Sequence, residues 1–309
     1  MTVLSYFAGY VLDFFRERVA ASDFALGAGF VKPAISSDRS GLSDGSDRPN
    51  MRKIVSASRR TELVAHYPDY LVHRLAQVGP ERVHTLVVWT KDPTNLLAHR
   101  GLHDMLGRVA QVFVHWTVTG LGSTFVEPNV PAPRAQLALL DDIAVLVGDP
   151  RRIHWRYDPL VSARCGNERV SNVDLALFRS LADAFARAGV PAVHTSFATM
   201  YRKVVRRLAD AGIESEDYDA AARRQFISAL AEEAARFGIQ LLTCCEPGYP
   251  LQRCIDGESL TALHPTNEPC RTERARDQRK LCGCTVSLDI GRYLPCPNRC
   301  LYCYAHPAR

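Results

Sequence analysis

Val83-His-Thr-Leu-Val-Val-Trp89, a helical pattern over Asn95–Val109, then Val112-Phe-Val-His-Trp-Thr-Val118 is the stretch that decides the fold. Both flanking runs are rich in the β-branched and aromatic residues that suit a pleated strand. The segment between them is long enough for a helical crossover, so the three together predict one strand–helix–strand unit. Working outward, further strand-like runs occur at Ile54–Ala57, Ile153–Tyr157, Ala192–Phe197, Ile239–Thr243 and Thr285–Ile290. Helical patterns fill the gaps at Tyr67–Val78, Arg134–Val147, Asn172–Ala188 and Tyr218–Phe237. Asp219-Ala-Ala-Ala-Arg-Arg-Gln is a strong helix former, and Gly238 stands where that helix should stop. Strand starts recur at roughly 30 to 45 residues, as successive βαβ units would place them. The expectation is an α/β fold, a parallel (β/α) barrel of the TIM type, complete or incomplete. A doubly wound open sheet is the alternative.

A chain of 309 residues fits one such barrel or two smaller domains, and its 47% apolar content is enough for a large core. From Ser36 to Asn50 the composition turns to Ser, Asp, Gly and Arg with no apolar period, which is linker composition. Residues 1–50 therefore read as an appended, unstructured extension or an over-extended gene start, and 51–309 as the barrel domain. The apolar run Val3–Phe15 lacks a basic leader and is too short to span a bilayer, so a cytoplasmic protein away from membranes is expected. The net charge of +5 permits nucleic-acid binding without arguing for it. Its densest basic run, Arg271–Lys280, also holds Glu273 and Asp277.

In a parallel barrel the chemistry sits at the carboxyl ends of the strands. There this chain offers Arg59, Lys91, Arg156 and Asp158, candidates to converge on one mouth and hold an anionic group. Asp92-Pro93 and Asp158-Pro159 are also ordinary turn initiators. The cysteines crowd toward the C-terminus, which in a chain with no secretion signal indicates metal binding rather than a disulfide framework. Cys296, Cys300 and Cys303 form a C-x3-C-x2-C array that can hold three irons of a 4Fe–4S cluster and leave the fourth iron open. With His306 they could instead make a Cys3His zinc site. Cys244, Cys254, Cys282 and Cys284 could complete a second cluster or a zinc site.

The terminal array resembles the cluster motif of the radical S-adenosylmethionine enzymes. Ile54-Val-Ser-Ala-Ser-Arg-Arg-Thr61, Trp89-Thr-Lys91, Glu127-Pro-Asn-Val-Pro131, Trp155-Arg-Tyr-Asp-Pro159, Asp277-Gln-Arg279, Cys282-Gly-Cys284 and Asp289-Ile-Gly-Arg-Tyr293 precede it in one order. In combination, over about residues 52–305, the chain resembles the bacterial family called domain of unknown function 1848 (DUF1848). That family carries at its C-terminus a cysteine cluster similar to the one radical S-adenosylmethionine proteins carry near their start. The resemblance implies a circularly permuted barrel whose last strand closes beside its first. It also implies cluster ligation by Cys296, Cys300 and Cys303, S-adenosylmethionine as cosubstrate, and Tyr302 against the adenine. No Gly-Gly-Glu stretch of the kind that contacts the methionine amine is present, and the helix that usually follows the cysteine loop is missing.

The leading expectation is thus an enzyme that cleaves S-adenosylmethionine to begin radical chemistry on an unknown substrate, fed by an electron donor such as a flavodoxin or ferredoxin. A non-catalytic iron–sulfur protein for electron transfer or redox sensing is the second. A zinc-stabilised nucleic-acid-binding protein, supported by Arg271–Lys280 alone, is the third.

Overall fold

The computed structural model describes residues 51–276 and 278–305. The expectations for residues 1–50 and for His306 lie outside these. All seven expected strands form: β1 (Lys53–Ala57), β2 (Val83–Thr90), β3 (Val112–Thr117), β4 (Ile153–Arg156), β7 (Ala192–Thr195), β9 (Gln240–Thr243) and the short β10 (Leu288–Asp289). They make one sheet in the order β10-β1-β2-β3-β4-β7-β9, and every adjacent pair is parallel. From β1 to β9 the order across the sheet follows the chain. A doubly wound sheet has its switch point near the middle, whereas here the single break in sequence order falls between the edge strand β10 and β1. The last strand does lie beside the first, with Val55 opposite Leu288 and Ser56 opposite Asp289. Among the described residues no pairing joins the edge strands β9 and β10, so the fold is a mixed α/β sheet without barrel closure.

Alternation along the strands separates two faces. Val55, Leu86, Val88, Val114, Trp116, Trp155 and Val193 join the large apolar core, together with the helices. The helix Leu175–Arg187 shows how this core is built. Asp174 caps it by accepting from the amides of Ala176 at 2.7 Å and Leu177 at 3.2 Å. Phe178, Leu181, Ala182 and Phe185 recur on its buried side, and Trp155 is stacked between Phe178 and Phe185 with ring centroids 4.9 and 4.8 Å away. The helix Ala220–Arg236 ends as expected, with Gly238 just beyond it at φ +69°.

The intervening residues face the other way. Ile54, Val87 and Phe113 are covered there by Ile255, Leu260, Cys270, Cys282 and Cys284, contributed by the chain between β9 and β10. Gly257 sits under this cover, where a Cβ would run into the backbone carbonyl of Arg271.

Several features depart from the sequence reading, among them the Arg134–Val147 pattern, which forms two helices, Pro133–Leu137 and Leu140–Val147. The Asn95–Val109 pattern forms two helices, Thr94–Ala98 and Arg100–Leu106, because His99 breaks the first and caps the second through Nδ1, 3.1 Å from the Leu102 amide. The helix Arg202–Asp210 was not expected. Nor was an antiparallel sheet of β5 (Ser162–Cys165), β6 (Glu168–Ser171) and β8 (Ile213–Glu216) in the order β6-β5-β8. Its strands are short, mostly polar and outward-facing, so they carry little hydrophobic pattern. Among the described residues no helix is long and apolar enough to cross a membrane.

Candidate metal centres

The loop that leaves β10 carries the terminal cysteine array to the carboxyl ends of β1, β2 and β3. Its backbone is anchored throughout. The Thr61 hydroxyl donates to the Arg292 carbonyl at 2.7 Å, Asn129 donates to Pro297 O at 2.7 Å, and the Leu301 amide donates to Val126 O at 3.0 Å. Arg207 donates to the carbonyls of Leu301 at 2.9 Å and Cys303 at 2.8 Å. His66 and the buried Asn298 share a 2.7 Å bond. Gly291 is required at the base of the loop, since a Cβ there would meet the Ser58 side chain.

Behind the array lies a buried polar network that the cysteine spacing alone does not reveal. Glu127 Oε1 accepts from Lys91 Nζ at 2.9 Å, from Thr119 Oγ1 at 2.9 Å and from the Tyr302 hydroxyl. Glu62 accepts from the Lys91 amide at 2.7 Å. Burial pushes the Glu62 carboxyl up to about 7, against the hydrogen bonds it accepts. Burial works against the charge on Lys91, but Glu127 and Cys300 outweigh it and raise its pKa. Burial likewise raises the thiols of Cys296 and Cys300 and, with Glu127 next, the Tyr302 phenol. A metal that takes these thiols as thiolates must therefore displace protons. Lys91 also stands 5.8 Å from the centre of the Tyr302 ring.

The second cysteine set gathers at the ends of β4, β7 and β9. Cys254 Sγ lies 3.9 Å from Cys244 Sγ, and the Cys254 amide donates to Cys284 Sγ at 3.3 Å. Cys245, which was not assigned from sequence, hydrogen-bonds with Cys244 and approaches Cys282. The four expected thiols thus come together with a fifth. Cys284 beside it holds the Cys282 thiol down to about 7. Cys245 pulls the Cys244 thiol down, but Cys254 and burial prevail and push it up to about 12. Arg156 donates to Cys254 Sγ at 3.3 Å and pairs with Asp158, whose other oxygen accepts from Ser196 Oγ. Arg279 donates to Cys244 Sγ at 3.4 Å.

The four strand-end candidates therefore have different partners. Lys91 belongs to the terminal array, whereas Arg156 and Asp158 belong to the second set. Arg59 lies between them. Its guanidinium sits 5.3 Å over Trp89 and donates to Gln278 at 3.1 Å, while its carbonyl accepts from Tyr304 at 2.9 Å.

Zinc and a cubane cluster ask for different donor spacing. Four thiolates around one zinc at about 2.3 Å stand about 3.8 Å apart, whereas a cubane holds each thiolate on a separate iron and spreads them wider. Among the described residues the only group of three or more His, Cys, Asp or Glu donors lying within 4.8 Å of one another is His115, His154 and His194. Neither cysteine set is drawn together that tightly. The donor chemistry of Cys296, Cys300 and Cys303, three thiols, is one that iron–sulfur clusters and zinc both take.

The three histidines were not expected. The signal for them is present, because His115 and His154 each precede a tryptophan that faces the helical core, and period-two alternation puts the histidine opposite. The histidines lie within β3, β4 and β7 rather than at the carboxyl ends where parallel sheets carry their chemistry. Burial is the first cause that keeps all three rings neutral: it lowers His154 to about 4 and sets His115 and His194 well below the ordinary histidine range.

Among curated proteins none matches this chain. The model of the family described as a domain of unknown function (DUF1848) matches residues 76–305, a span that holds both cysteine sets, the Lys91–Glu127 pair and all three histidines, and the chain belongs to that family.

Proposed function

We propose that this protein is a radical S-adenosylmethionine-like iron–sulfur enzyme, with Cys296, Cys300 and Cys303 as the ligands of a 4Fe–4S cluster that has one open iron. The observation that carries the reading is the position of the array: three thiols on an anchored loop, delivered by the strand beside β1 to the carboxyl ends of the parallel strands. Strand order supports a barrel wound like that of radical S-adenosylmethionine proteins, with the cluster-bearing strand moved from first place to last. When bound, such a cluster passes one electron to the sulfonium of S-adenosylmethionine, which breaks a carbon–sulfur bond and yields methionine and an adenosyl radical.

The chain's own residues would prepare that site. Glu127 fixes Tyr302 by its hydroxyl and so sets the plane of the ring offered to the adenine. Lys91, held by Glu127, keeps a positive charge beside Cys300 and favours its thiolate. Arg59 stands between the two cysteine sets, where its fork could hold a carboxylate or phosphate of the substrate.

A non-catalytic iron–sulfur protein is the second reading, supported by the second set, whose thiols are numerous enough to close a centre without an external ligand. The basic run gives nucleic acid little support, because Arg274 is spent on the carbonyls of Cys282 and Lys280.

The test is anaerobic purification, iron and sulfide analysis, and EPR of the reduced protein with and without S-adenosylmethionine. About four irons at the terminal array and a spectrum shifted by the cosubstrate are expected. Iron with an unchanged spectrum would favour electron transfer, and zinc without sulfide would end the enzyme reading.

A further inference from the structure

We propose that His115, His154 and His194 form a separate metal site for a divalent ion of the zinc type, buried on the inner face of the sheet. This inference does not rest on the radical S-adenosylmethionine reading and concerns neither cysteine set as ligand.

The histidines come from three consecutive strands of the sheet. His115 is in register with His154 across β3 and β4, and His194 is in register with Arg156, two residues along β4 from His154. Their ring centroids stand 5.1 to 5.6 Å apart, and one nitrogen from each lies within 4.8 Å of the other two. Trp89 stacks on His115 at 4.9 Å and Phe113 meets His154 edge-on at 4.8 Å, so the group has an aromatic surround.

The decisive feature is His115. Its Nε2 is 2.6 Å from the carbonyl of Cys254. A carbonyl only accepts, so the proton is on Nε2 and the lone pair is on Nδ1. That Nδ1 is buried and has no hydrogen-bond partner. Buried polar atoms without partners are rare in native proteins and call for an explanation. A histidine whose far nitrogen is fixed by a backbone carbonyl, with the near nitrogen free, is the arrangement that metal ligation uses.

A purely structural stack accounts for the other two rings, since His154 Nδ1 and His194 Nε2 share a hydrogen bond of 2.9 Å. It leaves His115 unexplained. On metal binding the proton between His154 and His194 must leave that contact. Moved to His194 Nδ1, it would point toward Cys254 Sγ, 3.9 Å away. Cys254 would then support two of the three ligands, one through its carbonyl and one through its thiol. Three imidazoles suit zinc, iron, copper or nickel. They also leave a fourth position, as zinc sites with three protein ligands do.

The experiment uses the full chain, stripped with a chelator and reloaded with zinc, and reads the zinc K-edge X-ray absorption. One zinc equivalent with nitrogen neighbours at about 2.0–2.1 Å is expected, distinct from sulfur neighbours at about 2.3 Å. In His154→Gln that nitrogen-bound equivalent should weaken by more than about 100-fold, beyond what loss of a supporting residue costs, with any sulfur-bound zinc unchanged. A zinc shell made wholly of sulfur, or no retained zinc, overturns the proposal, as does nitrogen-bound zinc that survives both His154→Gln and His115→Gln. If those variants do not fold, the wild-type spectrum decides by itself.

Discussion

The two cysteine sets are built in opposite ways. Cys296, Cys300 and Cys303 sit within eight residues on one loop, and the fold supplies only their backdrop of Lys91, Glu62 and Glu127. Cys244, Cys254, Cys282 and Cys284 come from separated segments and meet only because the chain after β9 folds back across the sheet. Their charge settings differ too. The terminal thiols face one lysine held between carboxylates, whereas the second set is met by two guanidinium groups, Arg156 and Arg279. A local array keeps its donors near one another even when the surroundings loosen. An assembled one depends on tertiary structure, and should fail first when the cover over the inner face is disturbed.

The largest effect should come from removing a ligand on one side only. Cys300→Ala should lower iron by about four per chain and abolish cleavage of S-adenosylmethionine, with metal at the second set retained. Cys284→Ala should do the converse to metal content. Element analysis beside EPR reads both. If either variant strips all metal, the two sets act as one centre and the contrast between them disappears.

Next in size is the buried pair behind the array. Lys91 and Glu127 are 13% and 1% exposed, and removing one partner of such a pair leaves an uncompensated charge that costs about 3–5 kcal/mol. Lys91→Met should therefore destabilise the metal-free chain by that amount in chemical denaturation, and Lys91→Met with Glu127→Gln should recover part of it. A cost below about 1 kcal/mol would show that the pair is hydrated in solution and that the terminal thiols lack the low-dielectric setting argued for them.

How far these regions are legible in sequence follows from the same contrast. The seven parallel strands are, because most are apolar runs rich in β-branched residues and lie at regular βαβ spacing, although the placement of the two-residue β10 outside β1 is not fixed by that spacing. The terminal array is legible because its spacing is local. Membership of the second set is only half legible: Cys282-Gly-Cys284 is a visible pair, but nothing in the sequence brings Cys245 to Cys282. Glu62 and Glu127 look like ordinary turn residues until β1, β2 and β3 align their ends around Lys91. The histidines were readable from alternation, yet their closeness depends on strand register, which a sequence does not print.

A subtler change should separate the two sets without touching a ligand. Gly257 has no room for a Cβ against the Arg271 carbonyl, so Gly257→Ala must shift the cover that carries Cys254, Cys270 and Cys282. Overpacking of this kind costs about 1–3 kcal/mol. Metal retention at the second set should fall while iron at the terminal array stays. Equal loss at both would mean that the cover also positions the terminal loop.

The smallest effect belongs to the antiparallel sheet, which serves as the reference for both. Glu216 on β8 accepts from Arg169 at 2.7 and 2.8 Å and from Ser162 at 2.6 Å. Arg169, then Ser162, pulls its carboxyl down to about 2 from 4.5. A carboxyl lowered in the folded state stabilises fully above its ordinary pKa, and loses that contribution as pH falls through the folded value. Glu216→Gln should therefore lower the melting temperature slightly at neutral pH, by an amount equivalent to less than about 1 kcal/mol for so exposed a pair. The gap from wild type should narrow between pH 4.5 and about 2. Metal content at both cysteine sets should not move. A change at either would mean that the small sheet holds the loops around that set, so that the boundary between a local and an assembled centre would have to be redrawn to include it.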